Sequence, residues 1–222
     1  MDVFGERWRD HPLRMAESWD ASVSPEDTVL LPGDLSWARK LADAAADLAW
    51  LGVRPGRKLL LRGNHDSWWT SPTKVLKALP AHCDLLQNNS FQIGDWVVVG
   101  ARGWTSPDDP AAQEQDEAIF QRELARLRLS VADADRRFGR ECPRLAMLHF
   151  PPWIEGRKPT AVVDVLGESG VRECVYGHLH GKDQRFGVVG ERGGIRFHLV
   201  AADAVGFAPA LILSGTVSSG DE

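Results

Sequence analysis

Cysteine is sparse in these 222 residues: Cys83, Cys142 and Cys174 form an odd, scattered set of three. No CxxC pair or framework spacing joins them, which argues against a secreted disulfide scaffold and against a thiolate zinc site. Long apolar runs are missing as well. No stretch approaches the ~18 residues that a membrane-spanning helix needs, and no signal-peptide pattern opens the chain. Nor is there an excess of positive charge, since 26 Lys and Arg face 31 Asp and Glu, the acids being interspersed. Such a surface offers no footprint for duplex nucleic acid. The expectation is a cytoplasmic protein with no membrane partner. Its length suits one large domain over residues 1–213, with the polar stretch 214–222 as a disordered tail.

What the chain does contain is a repeated layout. Thr28-Val29-Leu30-Leu31-Pro32-Gly33-Asp34, Leu59-Leu60-Leu61-Arg62-Gly63-Asn64-His65-Asp66, Leu145-Ala146-Met147-Leu148-His149 and Val175-Tyr176-Gly177-His178-Leu179-His180 each begin with an apolar run and end in a metal-competent side chain. Continuous apolar runs suit strands covered on both faces. In open α/β sheets the carboxyl ends of strands form the ligand crevice, so Asp34, Asn64, His149 and His178 would converge on one site. His178 and His180, two residues apart, can point to the same side of an extended backbone. Glycines at 33, 63 and 177 let the chain turn sharply where each strand stops.

In order and spacing class, Gly33-Asp34, Gly63-Asn64-His65-Asp66, His149 and Gly177-His178-Leu179-His180 resemble the motif series of the calcineurin-like metallophosphoesterases. The resemblance runs from about residue 28 to about residue 203. It implies an α/β fold, a β-sandwich flanked by helices in four αββα layers, and a hydrolase of phosphate esters working with two divalent metal ions. It also implies roles. Asp34, Asn64, His149 and His178 would bind one metal, and Asp34 and His180 would contribute to the other. His65 and Asp66 would be catalytic, with His65 beside the metals without ligating them and Asp66 fixing its orientation. The oxygen and nitrogen donors suit Mn, Fe, Zn or Mg. The partner implied is a small phosphorylated substrate, a nucleotide being one such compound.

One part of the family pattern has no counterpart. The family opens with a strand ending in Asp-x-His, which completes the second metal site, and nothing before Gly33 fits it. Asp10-His11-Pro12 has the wrong spacing and reads as the cap and first turn of a helix. The first strand is therefore expected to be missing, the second site to keep two ligands, and the chain to bind one metal rather than two. A degenerate, catalytically impaired scaffold on the same fold is the alternative to the enzyme.

Other expectations are structural. Ser36 opens a helix to residue 51 with Trp37, Leu41, Ala44, Leu48 and Leu51 on one stripe. Strands are expected at 58–62, over 84–100 with a Gly94-Asp95 turn, and at 174–177, and a helix at 159–169. The longest helix, 112–139, carries Phe120, Leu124, Leu127, Val131, Ala134 and Phe138 toward a sheet. A hairpin pairs 185–189 with 195–201 across Gly193-Gly194. Singly, Asp34 would pass for a helix cap, Asn64 and Asp66 for turn residues and His149 for a buried core histidine. Their joint occurrence favours a metal. Arg102, after the strand Trp96–Val99, is a candidate phosphate contact. Of the nine tryptophans many belong to the core.

Overall fold

The described residues of a computed structural model of the chain are 5–109 and 112–214. Except for Ser214, the polar tail lies outside them. Along the chain run α1 (His11–Ser22), β1 (Thr28–Leu31), α2 (Ala45–Gly52), β2 (Arg57–Leu60), α3 (Pro72–Ala78), β3 (Cys83–Leu85), β4 (Phe91–Ile93) and β5 (Trp96–Ala101). After these come α4 (Glu114–Phe138), β6 (Arg144–Leu148), α5 (Ala161–Glu168), β7 (Val171–Tyr176), β8 (Gly190–Arg192) and β9 (Ile195–Leu199). The strands form a three-stranded parallel sheet, β1-β2-β3, and a six-stranded sheet, β4-β5-β6-β7-β9-β8, whose outer strands β4 and β8 run antiparallel to their neighbours.

Alternation along each strand assigns the layers. Leu59, Leu61, Val98, Leu145, Met147 and Val175 meet between the two sheets. On the far face of the larger sheet, Val97, Val99, Ala146, Leu148 and Tyr176 pack on Phe120, Leu124, Leu127 and Ala134 of α4 and on Val162, Val165 and Leu166 of α5. The smaller sheet's far face sets Leu60 and Leu85 against Trp19, Leu48, Leu51, Trp68, Trp69 and Val75. Helix, sheet, sheet and helix follow one another, the expected four-layer α/β architecture. The apolar stripe of α4 does lie on a sheet. A capping box between Gln113 and Asp116 starts that helix, and Gly139 in a left-handed turn closes it.

Within the smaller sheet β1 stands at an edge. All four of its residues are half-buried, whereas Lys58, Leu59 and Leu60 of the central strand β2 are buried. Among the described residues no strand flanks β1 on its outer side.

Three local expectations need correction. The helix expected from Ser36 begins only at Ala45, and the backbone N–H groups of Asp34, Leu35 and Ser36 bond the carboxylate of Asp66. Trp37 consequently leaves the core stripe and is half exposed. The hairpin is shorter: Gly193 and Gly194, at φ 60 and 79, form a two-residue turn that pairs Arg192 with Ile195, and residues 181–186 are a 3-10 turn rather than strand. Asp10 precedes α1 as expected, but its side chain makes no capping hydrogen bond.

Candidate metal centre

Both sheets deliver side chains to one place. Asp34 follows β1, Asn64 follows β2, His149 follows β6 and His178 follows β7, all just beyond carboxyl ends of parallel strands. Glycine makes the approach possible. A Cβ on Gly33 would lie 2.6 Å from the backbone nitrogen of Gly63, and one on Gly63 would lie 2.0 Å from Oδ1 of Asp34. Asp34 and His178 are themselves in left-handed backbone, at φ 57 and 68. At His178 the chain makes a three-residue turn, with Leu179 N–H donating to the Gly177 carbonyl at 2.8 Å. Non-glycine residues held in that region carry strain of about 1–3 kcal/mol each, which the surrounding contacts must offset.

The donor atoms are crowded. Nε2 of His149 lies 2.6 Å from Oδ1 of Asn64, 3.4 Å from Oδ2 of Asp34 and 3.3 Å from Nδ1 of His178, which is in turn 3.0 Å from the same Asn64 oxygen. Ligand atoms of Asp34, His149 and His178 all fall within 4.8 Å of one another. On its other side His149 Nδ1 faces the Pro32 carbonyl at 2.8 Å. A carbonyl only accepts, so the proton sits on Nδ1 and the lone pair of Nε2 points into the cluster. There it meets a carboxylate oxygen and an amide oxygen, both acceptors. Such a convergence is unfavourable by itself, and a cation among the atoms relieves it. For a cation ligated at about 2.1 Å, neighbouring ligand atoms should be about 3.0 to 3.4 Å apart, close to the spacings seen. The residues fit a divalent ion.

Electrostatics agree with this. Burial first, and the nearby Arg102, His180 and His65 after it, push the His149 imidazole down to about 3 against its bond to Pro32. Burial, then His149, lowers His178 to about 4. Both rings are neutral at pH 7, the state a metal ligand requires.

Asp66 is fully buried and does something other than expected. Its carboxylate accepts N–H donors from Gly63 (2.7 Å), Asp34 (2.8 Å), Leu35 (2.9 Å), Ser36 (3.1 Å) and the Trp68 indole (2.9 Å). It ties the Asp34 loop to the Asn64 loop, and those five donors account for its bonds, with His65 not among them. Burial raises the carboxyl above the usual range, opposed by these hydrogen bonds. His65 is exposed. Its backbone N–H donates to Asp34 Oδ1 at 2.8 Å, and its ring stacks on Trp37 with centroids 5.2 Å apart. Orientation of this imidazole therefore comes from Trp37 and not from the carboxylate next to it in sequence. On so tight a turn, with Ser67 N–H bonded to the His65 carbonyl, adjacent side chains diverge.

His180 is not part of the cluster. Its Nδ1 contacts Oδ1 of the fully buried Asp203 at 2.7 Å, Gly181 N–H donates to the other carboxylate oxygen at 2.8 Å, and Trp8 packs edge-on to the ring at 5.5 Å. Arg7 donates to the Asp203 carbonyl. Nε2 is the ring nitrogen left for a ligand. Asp203 went unnoticed in the sequence: it follows β9, whose residues Ile195-Arg196-Phe197-His198-Leu199 alternate instead of forming an apolar run. Arg102 reaches the neighbourhood through its backbone: its carbonyl accepts N–H groups of His149 (3.1 Å) and Phe150 (2.9 Å). The Arg102 guanidinium donates to Glu123 at 3.1 Å and lies over Trp104.

Residues 13–182 match the family model described as calcineurin-like phosphoesterase. The chain belongs to this family. Over 57 residues it is 51% identical to the Gene 66 protein of Mycobacterium phage D29, covering 26% of this chain and 28% of that protein. The Gene 66 protein of Mycobacterium phage L5 is 42% identical over 57 residues, 26% of this chain and 27% of the relative. The chain thus spans little more than a quarter of the length of these curated relatives. A solved structure, a protein of unknown function from Aquifex aeolicus, aligns with a TM-score of 0.49 and 15% identity over 90% of this chain and 81% of its own. Calcineurin-like phosphoesterases are in general metal-dependent hydrolases of phosphoesters, and a possible metal-binding cluster is present here. Among the described residues no helix is long and apolar enough to cross a membrane.

Proposed function

We propose that this protein hydrolyses phosphate mono- or diesters at a divalent cation held by Asp34, Asn64, His149 and His178. The observation that carries the reading is the inward-pointing lone pair of His149 Nε2, 2.6 Å from the Asn64 oxygen and 3.4 Å from the Asp34 carboxylate. A cation bound there would lower the pKa of water toward neutrality and polarise a phosphoryl oxygen. Donors of oxygen and nitrogen only suit Mn, Fe, Zn or Mg. The four side chains would hold the cation, and Asp66 fixes two of the loops that carry them. His65, exposed and flanked by Trp37, is the group placed to give a proton to the leaving oxygen or to stabilise charge on the phosphoryl group. A second cation of a dinuclear centre would take Nε2 of His180 together with Asp34. The substrate class is a small phosphorylated compound, for which a nucleotide is the first candidate, and the protein acts in the cytoplasm.

A second reading, a binding module that keeps the fold and one metal, is favoured by one observation. Among the described residues a single cluster of metal-competent side chains is assembled, and His180 lies outside it. Turnover separates the two. With Mn added, p-nitrophenyl phosphate or bis(p-nitrophenyl) phosphate should be hydrolysed at a rate that saturates with metal. A chain that binds Mn but turns over neither compound at any metal concentration would establish the binding module instead.

A further inference from the structure

Next to the metal ligands lies a concentration of positive charge that the hydrolytic reading leaves unused. Glu123, on α4, is 1% exposed in its side chain, and its Oε1 lies 3.1 Å from Arg102, 2.8 Å from Arg126 and 3.9 Å from Arg122. Arg62, two residues before Asn64, also lies close enough for its charge to act on the Arg102 guanidinium. Three arginines thus face one carboxylate, and the charge of a fourth, Arg62, acts on Arg102. That carboxylate spends a single oxygen on them, because Oε2 has no hydrogen-bond partner. The Nε–H groups of Arg62 and Arg102 are likewise buried without an acceptor. A buried donor left unpaired costs about 1–3 kcal/mol, more when it is charged, so the cluster is incomplete as a purely structural ion pair. Arg102 is also fixed in place, stacked on Trp104 with the guanidinium carbon 4.5 Å from the ring centroid. An immobilised guanidinium loses little entropy on gripping an anion, and its planar fork matches phosphate oxygens.

We propose that Arg102 and Arg126, held against Glu123, together with Arg62 beside Asn64, form an anion subsite for a second phosphate group, so that the preferred substrate is a phosphoester carrying a further phosphate. This rests on the phosphoesterase reading for the identity of the first phosphate, which the cation would hold. Two of these arginines belong to segments that carry metal ligands: the Arg102 carbonyl accepts His149 N–H, and Arg62 stands two residues before Asn64. A substrate with one phosphate would leave the arginine cluster uncompensated. One with two would offset its charge.

The subsite is tested first without turnover. Inorganic pyrophosphate titrated calorimetrically into the full 222-residue chain in excess chelator should bind saturably. Arg126→Gln should weaken that binding at least tenfold, and Arg126→Lys should recover part of it. Arg126 lies on the partly exposed surface of α4, so the variant is expected to fold, which its melting curve checks. Absence of saturable binding in the parent chain, or equal affinity in Arg126→Gln, would overturn the subsite. The substrate class is tested next with Mn-loaded protein. The ratio of kcat/KM for adenosine 5′-diphosphate to that for p-nitrophenyl phosphate should fall at least tenfold in Arg126→Gln, and an unchanged ratio would overturn the assignment. If the parent chain binds pyrophosphate yet hydrolyses neither compound, the subsite stands and the hydrolytic reading fails.

Discussion

The two halves of the site are built differently. The Asp34, Asn64, His149 and His178 cluster takes one side chain from each of four strand ends, draws on both sheets, and is locked by Asp66 beneath and by glycines with no room for a Cβ. The His180 half rests on one carboxylate, Asp203, with Arg7 and Trp8 packed around it, and gathers no second metal-competent group among the described residues. Shared support is what distinguishes a position whose side chains fit a cation from one where a histidine is merely well held. In the first, acceptors face acceptors. In the second, the ring already has its partner.

Perturbing the shared support should have the largest effect. A Cβ at position 63 would collide with Asp34 Oδ1 at 2.0 Å, so Gly63→Ala should destabilise the protein by about 4 kcal/mol or more and abolish metal binding. Chemical denaturation and elemental analysis would read both, and a stable, metal-loaded variant would contradict the close approach. Asp66→Asn should cost about 3 kcal/mol and weaken the metal, because all five N–H donors lose a charged acceptor and two or three of them face an NH2 group instead. Were Asp66 instead an orienting group for His65, the same change would spare stability and lower turnover alone. His65→Ala should do the reverse of Asp66→Asn: stability within about 0.5 kcal/mol, metal retained, and turnover reduced about 10²- to 10⁴-fold. An unchanged kcat would remove His65 from the chemistry.

The smallest effect expected is on pH dependence. His149 and His178 titrate near 3 and 4 in the fold, against about 6.5 in an unfolded chain. The unfolded state therefore binds protons first as pH falls. Stability of the chelator-treated protein should be complete above about pH 6.5 and decline progressively toward pH 4. Thermal melts across that window should show a shallower decline in His178→Asn than in the parent, and parallel curves would mean that the ring is not desolvated.

Much of the site was legible because strand ends announce themselves. An apolar run, a glycine and a polar residue were enough to place Asp34, Asn64 and His178, and the run before His149 served as well without a glycine. The four layers came from the family resemblance, and the apolar runs agree with strands covered on both faces. The role of Asp66 was not legible. Adjacency to His65 suggested a dyad, whereas the turn at Asp66 sends one side chain inward and the other to solvent. Nor could the irregular stretch before α2 be foreseen: the carboxylate that holds the Ser36 N–H comes from thirty residues further on. Asp203 and Glu123 share the same difficulty: each matters through a partner more than twenty residues away, His180 for one and Arg102 for the other.

Metal stoichiometry tests the central claim most directly. The purified 222-residue chain would be loaded with excess Mn, desalted and measured by elemental mass spectrometry beside His178→Ala and His180→Ala. The account predicts a tightly held ion in the parent chain that is lost in His178→Ala and retained in His180→Ala. A parent chain without metal, or one whose ion survives His178→Ala, would contradict it.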